Sequence, residues 1–164
     1  LYLPPLTAEG KGGGERTPRP EITELMKEIK QHNPTAPVFF SEHRPVAFTK
    51  AAGASYPLEW AKGREFFAFC GIGNPQSFSN TLASTGANIK GLRIFRDHYR
   101  FSPDDVKVIS ADAKKAGAAW IVTTEKDIMR LRGFDLPENL VALAIEFSAE
   151  KKLYDRVFQF LTNV

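Results

Sequence analysis

Asp97-His98 is the pair in this chain best suited to chemistry. It lies where a strand-like run, Leu92-Arg93-Ile94-Phe95, gives way to a helix start at Ser102-Pro103-Asp104-Asp105. Strand ends that open into loops are where α/β proteins place reacting groups. A histidine there can hold or release a proton near neutral pH, and a neighbouring carboxylate can orient it. An exposed or capping histidine is the plain alternative, and the local sequence alone does not separate the two.

Two further segments have the right chemistry at the right kind of place. Gly71-Ile72-Gly73-Asn74-Pro75 follows an apolar strand and opens a helix. Its glycines permit a sharp turn and close backbone approach, and the amides of a helix start can hold a phosphate or carboxylate. The third glycine of a dinucleotide fingerprint is missing, because Gln76 stands in its place, so a tight strand-to-helix turn accounts for the segment better than a ligand site does. Thr123-Thr124-Glu125-Lys126-Asp127 closes another strand and starts a helix. Thr124 with Asp127 resembles a capping box. Lys126 could neutralise a phosphate and Asp127 could orient a partner. The phosphate- or substrate-side candidates are therefore Gly71, Gly73, Asn74, Thr124, Lys126 and Asp127.

Other chemistries find no support. Gly10 to Gly14 is not a phosphate loop, since Gly12 follows Lys11 where Ser or Thr is required. His32 reads as a cation at a helix end, and His43 as a turn residue that could meet anionic lipid. No histidines have metal-ligand spacing, so no protein metal cage is expected. The single cysteine, Cys70, lies in the apolar run Phe66-Phe67-Ala68-Phe69-Cys70 and reads as a small core residue.

The elements that would position these groups are legible from residue 65 onward. Glu65 to Gly71 is a continuous apolar strand, as expected when both faces of a sheet are covered. Asn74 caps a helix with Pro75 first and Gly86 at its end. Ile89 to Phe95 is the next strand. Ser102 caps a helix whose buried face is Val106, Ile109, Ala113 and Ala116, with Asp104 and Asp105 at the positive dipole end. Ala119 to Thr123 is a strand, Thr124 caps a short helix to about Arg132, and Leu140 to Phe147 is the last strand. Ser148 then caps a terminal helix with Tyr154, Val157, Phe158 and Leu161 on one side. Strand and helix alternate four times, which predicts an α/β fold with a parallel, doubly wound, three-layer sheet.

Upstream, residues 1–35 read as an irregular segment plus one helix, Glu21 to Gln31, with its stripe at Ile22, Leu25, Met26 and Ile29. Residues 36–64 read as an extended linker or hairpin, with strand candidates at Pro37–Phe40 and Val46–Thr49, followed by a loop that Trp60 anchors. Residues 65–164 form the α/β domain.

Composition narrows the class. The chain has 164 residues, 43% hydrophobic and 25% charged, ordinary values for a soluble domain with a real core. The net charge of +3 comes from interspersed ions, so no nucleic-acid arm is present and no nucleic-acid partner is expected. Such a balance suits an anionic substrate or membrane surface. Phe66 to Ile89 carries no charge, but its glycines, prolines and amides make it strand, turn and helix rather than a membrane span.

Taken together, Phe67-Ala68-Phe69-Cys70-Gly71-Ile72-Gly73-Asn74-Pro75, then Phe78 and Leu82, then Asp97-His98 with Phe101, then Thr123-Thr124-Glu125-Lys126-Asp127 resemble the C-terminal half of the tetraacyldisaccharide 4'-kinase family of lipid A biosynthesis. The resemblance covers about residues 36–164. It implies the C-terminal lobe of a P-loop kinase that moves the ATP γ-phosphoryl group, with Mg2+, to the 4'-hydroxyl of a lipid-bearing disaccharide 1-phosphate. It implies a peripheral place at the cytoplasmic face of the bacterial inner membrane. It makes His98 the catalytic residue, working with an aspartate from the other lobe, and Asp97 its local support. The partners implied are the N-terminal P-loop lobe, the lipid disaccharide and the membrane surface. Because the chain starts at Leu1 and shows no phosphate loop, it is expected to be a detached lobe, inactive alone and with no ATP or Mg2+ bound to it. The rival expectation is a non-catalytic α/β module that binds a phosphorylated sugar or nucleotide.

Overall fold

The alternation of strand and helix resolves into a six-stranded mixed sheet in the computed structural model, which describes residues 20–161. The order along the chain is α1 (Pro20–His32), β1 (Ser41–Thr49), β2 (Ser55–Tyr56), a 3-10 turn (Leu58–Ala61), β3 (Glu65–Cys70), α2 (Pro75–Ser84), β4 (Asn88–Ile94), α3 (Pro103–Lys115), β5 (Trp120–Thr124), α4 (Glu125–Arg130), β6 (Leu140–Ala149) and α5 (Lys151–Leu161). The strands lie in the order β2-β1-β6-β5-β3-β4. The pairs β3–β4, β3–β5 and β5–β6 are parallel, while β1 and β2 pair antiparallel. The α/β fold with a largely parallel sheet is as the sequence predicts.

The chain divides into two units, His43–Phe147 and, among the described residues, 20–42 with 148–161. In the first unit, side chains from β3 alternate between two cores. Phe66, Ala68 and Cys70 pack with Phe78 and Leu82 of α2, Val122, Val141 and Phe48. Phe67 and Phe69 pack with Val106, Ile109 and Ala113 of α3, Ile121 and Ile128. A strand with apolar side chains on both faces needs helices on both faces, and this is the three-layer arrangement.

Local signals explain the helix ends. Asn74 Oδ1 accepts from Ser77 N at 3.0 Å with Pro75 at the first helical position. Ser102 and Asp105 form a reciprocal capping box. Burial would raise the Asp105 carboxyl, but hydrogen bonds from the Ser102 hydroxyl and amide and from Tyr99 Oη outweigh it and hold it below its usual value. Arg93 Nε donates to Asp112 Oδ2 at 2.7 Å and ties β4 to α3.

Several boundaries differ from the sequence reading. Residues 41–49 form one continuous strand, so of the two readings of this stretch, a hairpin of Pro37–Phe40 with Val46–Thr49 or one extended crossing, the structure shows the extended one, without Pro37–Phe40 in the strand. Pro45 does not break the run, because proline removes a donor but keeps an extended φ. The anchoring role of Trp60 holds: its ring stacks on Tyr56 at 4.4 Å and meets Trp120 edge-on at 4.6 Å. The last strand runs to Ala149, so Ser148 lies in β6 and does not cap α5. Its backbone ladder outcompetes the local capping signal. Tyr154, Val157 and Phe158, read from the sequence as lying on one side of the terminal helix, are 42–58% exposed. The readings placed on Gly10–Gly14, on residues 1–19 and on the Leu161 side chain lie outside what the structure describes.

Candidate functional site

Two loops and one direct strand-to-helix junction lie at the carboxyl ends of adjacent parallel strands: Gly71–Asn74 after β3, Phe95–Phe101 after β4, and Thr124, the last residue of β5, from which α4 starts. Parallel pairing brings these ends to one edge. Gly71, Gly73, Asp97, His98, Thr124, Lys126 and Asp127, far apart in sequence, meet there.

The centre of the cluster is Asp127, 0% exposed. Its Oδ2 accepts from the Gly71 amide at 2.9 Å and from Thr124 Oγ1 at 2.8 Å. The Thr124 hydroxyl in turn accepts from Asp127 N at 3.1 Å, so the N-cap half of the capping box read from the sequence is present, while the Asp127 carboxylate turns to the Thr124 hydroxyl and the Gly71 amide. Its Oδ1 accepts from Arg130 Nη1 at 3.0 Å, and the same nitrogen donates to Gly71 O at 3.0 Å. A buried carboxylate is tolerated only when its charge is paired and its lone pairs are used, and Asp127 meets both conditions. The Gly71 turn is closed around it: a Cβ on Gly71 would stand 3.4 Å from Asp127 Oδ1 and from Tyr99 Cβ.

His98 projects outward, its side chain 76% exposed. Its backbone φ is +56°, a left-handed conformation that a non-glycine residue keeps only when its neighbours impose it. Those neighbours are visible. Asp97 Oδ1 accepts from His98 N at 2.8 Å. Phe95, Tyr99 and Phe101 anchor the loop on either side, with ring centroids 4.7 to 5.2 Å apart, over Phe69. His98 Nε2 is 3.7 Å from Asp97 Oδ2, and Lys126 Nζ is 3.9 Å from Asp97 Oδ1. Arg130 Nη2 is 3.3 Å from His98 Nδ1.

The arrangement sorts the candidates. Asp97, His98 and Lys126 present polar groups to solvent. Gly71, Thr124 and Asp127 are consumed in holding the turn. Gly73 faces the loop, where an added Cβ would stand 3.3 Å from Asp97 Oδ2. Asn74 uses its side chain on its own helix. Asp127 is not open to a magnesium ion, since both its oxygens are spent, and at the start of α2 Asn74 takes the Ser77 amide while Pro75 has no amide hydrogen to offer a phosphate. Arg130 was not a sequence candidate. The only signal was its place one turn after Asp127, the i, i+3 spacing at which helical ions meet. A cleft of about 400 Å3 in the second unit, lined by Thr35, Pro37, Phe39, Lys152, Asp155 and neighbouring residues, contains none of these groups.

Fold and site together define an α/β domain of the doubly wound class, with the polar side chains of the site gathered at the carboxyl ends of the parallel strands β3, β4 and β5. The family model described as tetraacyldisaccharide-1-P 4'-kinase matches residues 15–162, and the chain belongs to that family. It is similar to the tetraacyldisaccharide 4'-kinase of Bradyrhizobium diazoefficiens, 40% identical over 94 residues that cover 56% of this chain and 28% of the relative. It is similar to that of Syntrophus aciditrophicus, 32% identical over 133 residues that cover 79% of this chain and 36% of the relative. Among solved structures it shares its fold with LpxK from Aquifex aeolicus, crystallised in complex with ATP, at a TM-score of 0.50 and 24% identity over 79% of this chain and 40% of that one. The chain thus spans about a third of the length of the curated relatives it matches.

Proposed function

We propose that this chain is the C-terminal lobe of a kinase that transfers the ATP γ-phosphoryl group to the 4'-hydroxyl of tetraacyldisaccharide 1-phosphate. In this reading the lobe supplies His98, steadied by Asp97, to the acceptor side of the reaction. ATP and Mg2+ are held by a separate N-terminal P-loop lobe, and the work is done at the cytoplasmic face of the inner membrane. Magnesium, when bound there, supplies charge neutralisation on the transferring phosphoryl group. The observation that carries the reading is the family match together with an outward-facing His98 in an imposed left-handed conformation. Phosphoryl transfer depends on positioning and charge clamps, and a histidine aimed away from the core at a strand end is placed for the first of these. Contact with the lipid substrate is proposed to occur at a surface of the lobe; among the described residues no helix is long and apolar enough to cross a membrane.

The 164-residue chain alone is expected to show no magnesium-dependent phosphorylation of the lipid disaccharide. Joined to the N-terminal lobe of the Bradyrhizobium diazoefficiens relative, it is expected to show that activity, lost on His98→Ala. Turnover by the isolated chain, or a soluble and folded fusion without activity, would refute the assignment. The rival module reading has less support, because the Gly71 amide is taken by Asp127 and the Ser77 amide at the start of α2 by Asn74.

A further inference from the structure

Arg130 is placed by groups that, among the described residues, have no other cation. Asp127 is fully buried, and Arg130, with its side chain 23% exposed, is its paired ion. One guanidinium nitrogen bridges Asp127 Oδ1 and the Gly71 carbonyl, both at 3.0 Å. Two acceptors on different elements, the start of α4 and the turn after β3, fix the plane of a rigid fork. The other terminal nitrogen then stands 3.3 Å from His98 Nδ1.

A guanidinium carries donors and no acceptor, and it stays protonated in proteins. The contact therefore requires Nδ1 to be the acceptor. A neutral imidazole has one N–H, so its hydrogen must be on Nε2. With the hydrogen on Nδ1 instead, two N–H groups would face each other beside a permanent cation. We propose that Arg130, held by the buried Asp127, is a positioning residue that sets His98 in the Nε2–H tautomer and presents that N–H outward as a donor. Nε2 is 3.7 Å from Asp97 Oδ2, beyond hydrogen-bond reach, and the ring is largely exposed. The N–H is thus available to an acceptor arriving from outside the chain, a carboxylate or a hydroxyl oxygen. The role of this relay in catalysis rests on the proposed function, whereas the tautomer does not.

The test begins on the 164-residue chain. Two-bond 1H–15N correlation spectra of the imidazoles, recorded where the rings are neutral, read the tautomer of each histidine directly. His32 and His43 serve as internal references. His98 is expected to show a protonated Nε2 and an acceptor Nδ1, and Arg130→Met to move it toward a mixture of tautomers. Arg130→Lys is the second variant, because it keeps a cation for Asp127 if the methionine variant does not fold, and it removes the second donor. An Nδ1–H pattern in the unaltered chain, or an unchanged His98 pattern in the folded variants, overturns the proposal. In the fused kinase, Arg130→Lys is expected to lower kcat by about 10- to 100-fold, the range for partners that orient a histidine, with little change in the KM for ATP. A shifted tautomer with unaltered kcat overturns the catalytic relay. A fusion with no activity in any form overturns the proposed function and leaves the tautomer result standing.

Discussion

His98 combines exposure with constraint. Its ring is accessible, yet its backbone is held in a left-handed conformation by Asp97 and by the aromatic anchors Phe95, Tyr99 and Phe101. Strain of this kind costs on the order of 1–3 kcal/mol and persists where surrounding structure over-determines it. In the fused kinase, His98→Ala is expected to lower kcat by roughly 10²- to 10⁴-fold, the worth of a positioned proton-handling group, while ATP binding stays near normal. Asp97→Asn should lose less, because an asparagine oxygen can still accept from the His98 amide. Near-normal kcat with a lowered melting point for His98→Ala would instead mark a structural residue. A second titrating group lies behind the site. Burial, and then the Asp127 carboxylate, push the Cys70 thiol from 9.0 up to about 11. The folded protein keeps a proton that the unfolded chain gives up. That contribution to stability is complete below about pH 9 and is lost as the pH rises toward and through about 11. Urea unfolding between pH 8 and 11 should show a steeper loss for the unaltered chain than for Cys70→Ala, and parallel curves would contradict the shift.

At the scale of elements, β4 shows how a glycine can be demanded by a neighbour. The pairing of β3 with β4 slips by one residue between Phe66 and Phe67, so that Phe67 lies opposite Gly91. A Cβ on Gly91 would stand 2.9 Å from the ring of Phe67, which is 7% exposed. Gly91→Ala is therefore expected to destabilise the domain by about 1–3 kcal/mol, as overpacking of a core contact does. Phe67→Leu should relieve part of that loss, so the two changes together should cost less than their sum in denaturant unfolding. Additive losses would mean that the ring is not what excludes the side chain. The same strand carries the Asp97-His98 loop, so its register bears on where the histidine stands.

Across the whole of the first unit, the two cores share β3 and β5 and must form together. Phe66 and Val122 face one, Phe67 and Ile121 the other. A cooperative thermal transition is expected for the 164-residue chain, with a far-UV spectrum of mixed helix and strand. Phe69→Ala should lower its stability by about 3–5 kcal/mol, since Phe69 is 1% exposed and lies under the aromatic loop of the site. A random-coil spectrum would contradict the parallel-sheet assignment.

The order of strands and helices from residue 65 was determined by the sequence alone, because each signal is local. Apolar runs the length of a buried strand, Asn74, Ser102 and Thr124 at helix starts, and prolines at first positions all act within a turn or two of themselves. For the same reason Asp97-His98 and Thr124–Asp127 could be recognised as strand-end segments. What tertiary structure decided is which of those groups touch. Asp127 is at once a helix-start residue and a buried acceptor for an amide 56 positions away, and no local pattern encodes that distance. Arg130 became part of the site only because the parallel pairing of β3, β4 and β5 brings the Gly71 carbonyl, Asp127 and His98 around one guanidinium. The apolar face of α5 marks the opposite limit: periodicity defines a stripe at Tyr154, Val157 and Phe158, but burial depends on a partner surface, and in the described structure these side chains are exposed.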